Sequence, residues 1–192
     1  MTDHLPSRDT PLTDPLAAAF PAEIREDVSR VSALIRPDAD YHRGVSVRVQ
    51  GQALTLPYRI EHGFDEALFP QLNATQAVIY ACVLSRHLDG KLRQRQIARL
   101  ALAEQAWPLP FVVQLCGEYV MQILETVEAH LPAMDPRRYG GFLRDNAAFL
   151  DRAEQRMISY WDCYYRRRYP IRSDYVGFRV FERFRAWQAA ED

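Results

Sequence analysis

The stretch Asn73-Ala74-Thr75-Gln76-Ala77-Val78-Ile79-Tyr80-Ala81-Cys82-Val83-Leu84 decides the fold class. It opens on residues that cap helices, Asn73 or Thr75, and runs into a segment that is apolar on every side. A helix of that kind offers no face to water, so other elements must surround it. The pattern predicts a buried central helix over residues 74–88. Asp89-Gly90 then makes a tight break, with glycine suited to a left-handed cap.

Toward the C-terminus the apolar periodicity stays helical. A helix is expected from the break to Ala106, with Leu92, Ile97, Leu100 and Ala101 inward and Arg93, Arg95 and Arg99 outward. Pro108 and Pro110 bracket the next start. Residues 111–131 read as one long helix, apolar apart from Gln114, Glu118, Gln122 and Glu125. Residues 132–141 read as a loop. Asn146 is expected to cap a helix to Arg168, with Leu150, Ala153, Met157, Tyr160, Trp161 and Tyr164 on its apolar face. A short helix over 176–187 closes the chain. The segment Asp89-Gly90-Lys91-Leu92-Arg93, leading into Ile97 and Leu100, resembles the start of the second helix of a HEAT-type repeat. The resemblance covers one unit, no second copy follows, and it implies helix pairing and nothing more.

Toward the N-terminus the period changes. Val45, Val47 and Val49 alternate with polar residues, as do Leu54 and Leu56. A two-residue loop at Gln50-Gly51 sets Val47 opposite Leu54 and Val45 opposite Leu56, the pairing of a half-buried β-hairpin over residues 45–58. Pro57 stops or edges its second strand. Before it, Ile24, Val28, Val31 and Leu34 mark a helix opened by Pro21 and ended by Pro37. The expected fold is therefore mainly α: a compact bundle of about six or seven helices with one β-hairpin. Residues 1–14, polar and rich in Pro, Asp and Thr, read as a disordered tail, and residues 15–192 as a single helical domain.

The chain has 192 residues, enough to bury a core without metal or disulfide, and its net charge of −1 gives no overall attraction to nucleic acid or anionic membrane. No apolar run is long enough to span a bilayer. The start, Met1-Thr2-Asp3-His4, lacks the basic and apolar regions of an export signal. Cys82, Cys116 and Cys163 are odd in number and far apart, and read as buried thiols in a reducing cytoplasm. No GxxxxGK[ST], GxGxxG, HExxH or paired Cys/His spacing occurs, so neither a cofactor nor a metal is expected.

Three groups of residues could carry function. Gln114, Glu118 and Gln122 share one helical face, with Glu118 as a candidate acid/base and Gly117 allowing close backbone approach. His87 and Asp89 have structural roles at helix ends, but His87 could pair with Glu118 for proton transfer. The densest group is Tyr160 to Tyr169, with Asp162, Arg166, Arg167 and Arg168 among five aromatics. Residues 152–185 hold nine arginines against four acids, a local excess of +5, while residues 1–40 hold eight acids against four bases, a local excess of −4. Opposite excesses of that size are expected to lie near each other.

Arginine beside tyrosine suits protein anchors, phosphate contacts and base stacking alike. The leading expectation is a cytoplasmic, non-catalytic protein-interaction module with a protein partner. The first alternative is a nucleic-acid or phosphate binder using Tyr165, Arg166, Arg167, Arg168 and Tyr169. The second is an enzyme with His87, Glu118 and Asp162 in a cleft.

Overall fold

The structure, a computed structural model, describes residues 16–35, 44–60 and 62–190. The tail expected over residues 1–14 and the stop expected at Pro37 lie outside them. The described residues form eight α-helices and one antiparallel hairpin. In chain order these are α1 (Arg25–Ile35), β1 (Gly44–Val49), β2 (Gln52–Pro57), α2 (Ala74–Leu84), α3 (Gly90–Ala101), α4 (Leu109–Cys116), α5 (Met121–His130), α6 (Pro136–Asp145), α7 (Ala147–Tyr160) and α8 (Val176–Ala189).

Asn73 caps α2 through a reciprocal capping box with Gln76. The helix is buried from Ile79 to Leu84, as its composition requires, but stops there rather than at residue 88. Ser85 Oγ donates back to the Cys82 carbonyl at 2.6 Å, and the chain turns. Asp89 then caps α3 by accepting from the backbone N–H of Lys91 and Leu92. Gly90 is the first residue of that helix and has no left-handed conformation. Helix α3 packs against α2, α4 and α5 and ends at Ala101, short of the predicted Ala106. Arg93 on α3 points inward and is 1% exposed, against the outward placement its charge suggested.

The largest departure is in residues 111–131. They are two helices, α4 and α5, separated by Gly117-Glu118-Tyr119-Val120. Helix α4 is buried at every position. It packs so closely on α7 that a Cβ on Gly117 would lie 3.0 Å from the Ala153 carbonyl oxygen and 3.1 Å from its Cα. Tyr119, inside the run read as one apolar helix, is 51% exposed because the break turns it outward.

The loop expected at 132–141 is instead largely helix α6, started by Asp135 as N-cap with Pro136 at the first position. Asn146 separates α6 from α7 but makes no cap bond. Its amide instead clamps the hairpin: Oδ1 accepts from the Arg48 N–H at 2.7 Å, and Nδ2 donates to the Arg48 carbonyl at 2.8 Å. A further bond from Nδ2 reaches the Phe142 carbonyl. The hairpin has the predicted register, Val47 opposite Leu54 and Val45 opposite Leu56. Gln50 (φ 48°) and Gly51 (φ 81°) both adopt the left-handed region that a two-residue turn of this hand requires. In α1, Val28, Val31 and Ile35 face the core, whereas Leu34 is exposed.

Helix α7 ends in a π-helical turn, Trp161–Tyr165, closed by the Arg166 N–H on the Trp161 carbonyl at 2.8 Å. The turn keeps Trp161 inside and sends Asp162, Cys163 and Tyr164 to the surface. Cys163 is thus an exposed thiol, unlike the expected buried one, while Cys82 and Cys116 are buried.

Two outcomes follow from this packing. Asn146→Ala removes the two hydrogen bonds that hold the hairpin to the bundle and a third to Phe142, and should cost about 2–3 kcal/mol on urea titration, at about 1 kcal/mol per bond. A loss below about 0.5 kcal/mol would show that the hairpin is held by its apolar face alone. In native protein a thiol reagent should label Cys163 rapidly. Cys82 and Cys116 should react only on unfolding, since burial pushes both thiols up from their ordinary pKa.

Candidate functional site: an arginine cage and a tyrosine stripe

The break between α4 and α5 is held by charge. Glu118, 3% exposed, meets three arginines from three other segments. Its Oε1 accepts from Arg86 just after α2 at 2.7 Å and from Arg59 just after β2 at 2.9 Å. Its Oε2 lies 2.8 Å from Arg93 Nε on α3. Arg93 also donates to the His87 and Leu88 carbonyls, and Arg86 to the Ser85 carbonyl. One side chain thus ties together the ends of four elements.

Burial alone would raise the Glu118 carboxyl, but the attraction of Arg86, Arg59 and Arg93 outweighs it and holds the group below its ordinary value. Arg86 goes the other way for a cation. Burial, with repulsion from Arg59 and Arg93, overcomes the pull of Glu118 and brings it down to about 10. The two shifts disagree on whether the pair is comfortable, and the stoichiometry explains why: one carboxylate serves three guanidiniums. The cage thus carries a formal net charge of +2, three guanidiniums against one carboxylate.

The same break exposes a surface. Arg152, Arg156, Tyr160 and Tyr164 recur every four residues along α7 and its π-turn, so they form one stripe. Arg156 donates to the Tyr58 hydroxyl at 2.8 Å and to the Gly117 carbonyl at 3.3 Å. The Tyr58 ring lies between Arg156 and Arg59, each 4.9 Å from its centroid. Tyr160 contacts Tyr119 at 5.9 Å and stacks on Tyr164 at 6.2 Å between ring centroids. Tyr164 is 70% exposed, against the buried position its spacing suggested.

The residues singled out by sequence are not all brought together. Glu118 sits in the cage. His87 is beside it in the chain, but its Nδ1 accepts from the Asp89 N–H at 3.0 Å and its Nε2 lies 3.2 Å from the His62 carbonyl, so both ring nitrogens are engaged in the turn. Asp162 is at the surface, paired with Arg166 at 2.8 Å. No contact among the described residues joins Asp162 to His87 or Glu118. Tyr165 and Tyr169 pack on Tyr175, at 5.3 and 5.8 Å, and Tyr165 donates to the Tyr119 carbonyl, so both brace the site from within. Arg167 and Arg168 are exposed, Arg168 lying 5.5 Å from the Tyr169 ring centroid. Arg166 and Arg172 both lie over Trp161, beside an open concavity of about 460 Å³.

The expected match between the acidic N-terminal region and the arginine-rich region does not occur among the described residues. Glu26 pairs with Arg30, Asp27 accepts from Asn73 and Gln76, and Glu23 from Gln52. Arg179 takes Glu128, and Arg185 takes Asp151 and Glu154. Local partners thus take Glu23, Glu26, Asp27, Arg179 and Arg185, while the other five acids of residues 1–40 lie outside the described residues.

A wider concavity, about 530 Å³, is lined by the hairpin turn, the α3–α4 connection and α6, with Trp107 and Phe142 among its apolar residues. Glu23, Glu104 and Asp145 there face Arg48, Arg137 and Arg138, so its charges balance. Compared with protein-family models, curated proteins and solved structures, the chain matches none.

Sequence reasoning missed Arg59, Arg86 and Arg93 as partners of Glu118, and Tyr119 as a surface residue. The available signals were Gly117 beside a lone acid in an apolar run, and arginines inside otherwise apolar segments.

Glu118→Gln leaves two buried guanidiniums, Arg86 and Arg93, and the half-buried Arg59 without their carboxylate and should destabilise by about 3–5 kcal/mol at pH 7. The folded carboxyl titrates below its unfolded value of 4.5, so its stabilisation is complete above that value and is lost as pH falls through the lower folded one. The gap between wild type and variant in urea midpoint should therefore narrow below about pH 4.5. A gap that is constant from pH 7 to pH 3 would show that the carboxylate charge is not what holds the break.

Proposed function

We propose that this chain is a non-catalytic interaction module that docks a partner protein along the α7 stripe. The observation that carries this reading is the pair of tyrosines, Tyr119 at 51% and Tyr164 at 70% exposure, joined through Tyr160 on a frame fixed by the Glu118 cage. Tyrosine and arginine are the residues that anchor protein interfaces, because each presents a large surface with few torsions to freeze or a fork of donors. Here Arg156 and the tyrosines are already ordered by contacts with their neighbours, so docking loses little side-chain entropy. The saturation of Glu118 by three cations and the engagement of both His87 nitrogens favour a binding role over proton transfer. A cytoplasmic setting belongs to the proposal and draws on three cysteines that form no disulfide.

A second reading has its own support. Arg167 and Arg168 are exposed without a carboxylate within ion-pair distance among the described residues, and Arg168 sits against Tyr169. Guanidinium beside an aromatic ring suits a single-stranded nucleic acid.

One experiment separates the two. A photo-crosslinking amino acid is placed at position 164, or at exposed position 183 on α8 as a control, in the native host. The interaction reading expects a discrete protein adduct from 164 alone, weakened about tenfold or more by Tyr119→Ala, a loss typical of an interface anchor. Identical adducts from both positions, or none, would end that reading. Salt-sensitive binding of labelled single-stranded DNA, abolished when Arg166, Arg167 and Arg168 are changed together to Ala, would put the nucleic-acid reading in its place.

A further inference from the structure

At the arginine end of the stripe the surface dips into a small cavity of about 80 Å³. Its walls are Val45 from β1, Phe149 and Ala153 from α7, and Gln114 and Gly117 at the end of α4, with Arg152 and Arg156 also lining it. Small-molecule sites generally enclose about 300–1,000 Å³, so this cavity suits a single functional group rather than a whole metabolite.

The charges around it are of one sign. No acid lines the cavity, whereas two arginines do. Arg156 is committed to Tyr58 and Gly117, but Arg152 has no hydrogen-bond or ion-pair partner among the described residues. The acids that share its helix are already taken, since Asp151 and Glu154 both bind Arg185. The adjoining cage, one residue beyond Gly117, adds its own net +2 from Arg59, Arg86 and Arg93 against Glu118. Gln114 is 8% exposed, and neither atom of its amide has a hydrogen-bond partner in the protein. A buried amide left in that condition is costly unless something bonds to it. Rotation about its last torsion, which is soft, presents the N–H₂ group to whatever enters.

We infer that this cavity is a carboxylate pocket that receives an aspartate or glutamate side chain of the partner lying across the stripe. The inference rests on the interaction reading above and names the partner's chemistry: an acidic residue flanked by groups that pack on Tyr160 and Tyr164. Two fixed apolar walls take the methylene stem of the side chain. The carboxylate accepts from Arg152 and from the Gln114 amide in a positive, poorly hydrated setting, where a charge-assisted bond is strongest.

The test uses the full chain and two blocked amino acids, N-acetyl-glutamate N-methylamide and its glutamine counterpart. Titration is followed by NMR at the Gln114 side-chain amide and the Arg152 Nε–H. The glutamate probe should shift both signals saturably, with a dissociation constant on the order of 1 mM for a ligand of this size. The glutamine probe should bind about tenfold more weakly or worse. Arg152→Ala, at an exposed position where truncation leaves the fold intact, should weaken the glutamate probe by a similar factor, and Arg152→Lys should restore part of it. Equal binding of the two probes, shifts matched by chloride or inorganic phosphate at the same ionic strength, or an unaffected Arg152→Ala variant would each overturn the pocket. Tyr119→Ala keeps the two readings apart. It should weaken the cross-link from position 164 while leaving the glutamate shifts intact. A lost glutamate response with the cross-link retained overturns the pocket alone.

Discussion

Among the described residues Glu118 is the one buried acid, it serves two buried guanidiniums and the half-buried Arg59, and the surrounding segments are arranged around that imbalance. Removing a carboxylate from water is expensive, and removing three arginines more so, unless their geometry is good. The geometry is supplied by four separate segments: the end of β2, the turn after α2, the body of α3 and the break after α4. None of these can shift without exposing an unpaired buried charge. The cage therefore works less as a source of net stability than as a device that fixes relative positions. An apolar core tolerates small slides of one helix on another, whereas a carboxylate with three directed partners does not.

That constraint explains why α4 and α5 are separate. Had residues 111–131 continued as one helix, Glu118 would have followed the apolar stripe of its neighbours, and the three arginines would have had no partner. The break instead carries Glu118 inward and Tyr119 outward on consecutive residues. Gly117 makes room by letting the α4 backbone touch α7 at Ala153. The buried ion cluster and the exposed tyrosine are two consequences of one local departure from helix, and the surface that carries the proposed function rests directly on the cluster that holds the fold.

The fold was legible where local periodicity and burial agreed. The alternation of Val45, Val47, Leu54 and Leu56 has one register that places all four on a single face, and the hairpin adopts it. The all-round apolar run ending at Leu84 had nowhere to go but inside. Legibility failed where a polar side chain had a tertiary partner. Arg93 sits at a position that charge alone assigns to solvent, yet its partner lies on another helix, and no spacing within α3 reveals that. Asn146 has the composition of a helix cap, but the hairpin backbone competes for the same amide and wins, because two bonds to Arg48 satisfy a strand edge that would otherwise be open. Trp161 and Tyr164, three residues apart, were assigned to one face. The π-turn places one inward and the other outward, and a single inserted residue leaves no mark on hydrophobic periodicity. The i, i+4 recurrence of Arg152, Arg156, Tyr160 and Tyr164 was readable, and it was obscured by the denser cluster that follows it.

The arrangement of that stripe bears on what it can recognise. Its aromatic end offers stacking surface with little charge, and its arginine end offers positive potential next to a small apolar recess. A nucleic acid presents phosphates at short, regular intervals and would favour cations spread along the whole track. Here Arg166 is neutralised by Asp162, Arg167 and Arg168 follow beyond Tyr164, and along the stripe itself, from Arg152 to Tyr164, the uncompensated charge collects at Arg152 and the cage behind it. A ligand matched to this surface is apolar or aromatic over most of its length and anionic at one point. A protein segment with a single acidic side chain, the partner proposed above, has that character, whereas a polyanion would draw instead on Arg167 and Arg168 beyond the stripe. Because the Arg152 end is fixed by α7 and the tyrosine end by the Glu118 break, the distance between charge and aromatic surface is set by the fold, and in the proposed role that fixed spacing would select among acidic partners by where their apolar residues fall.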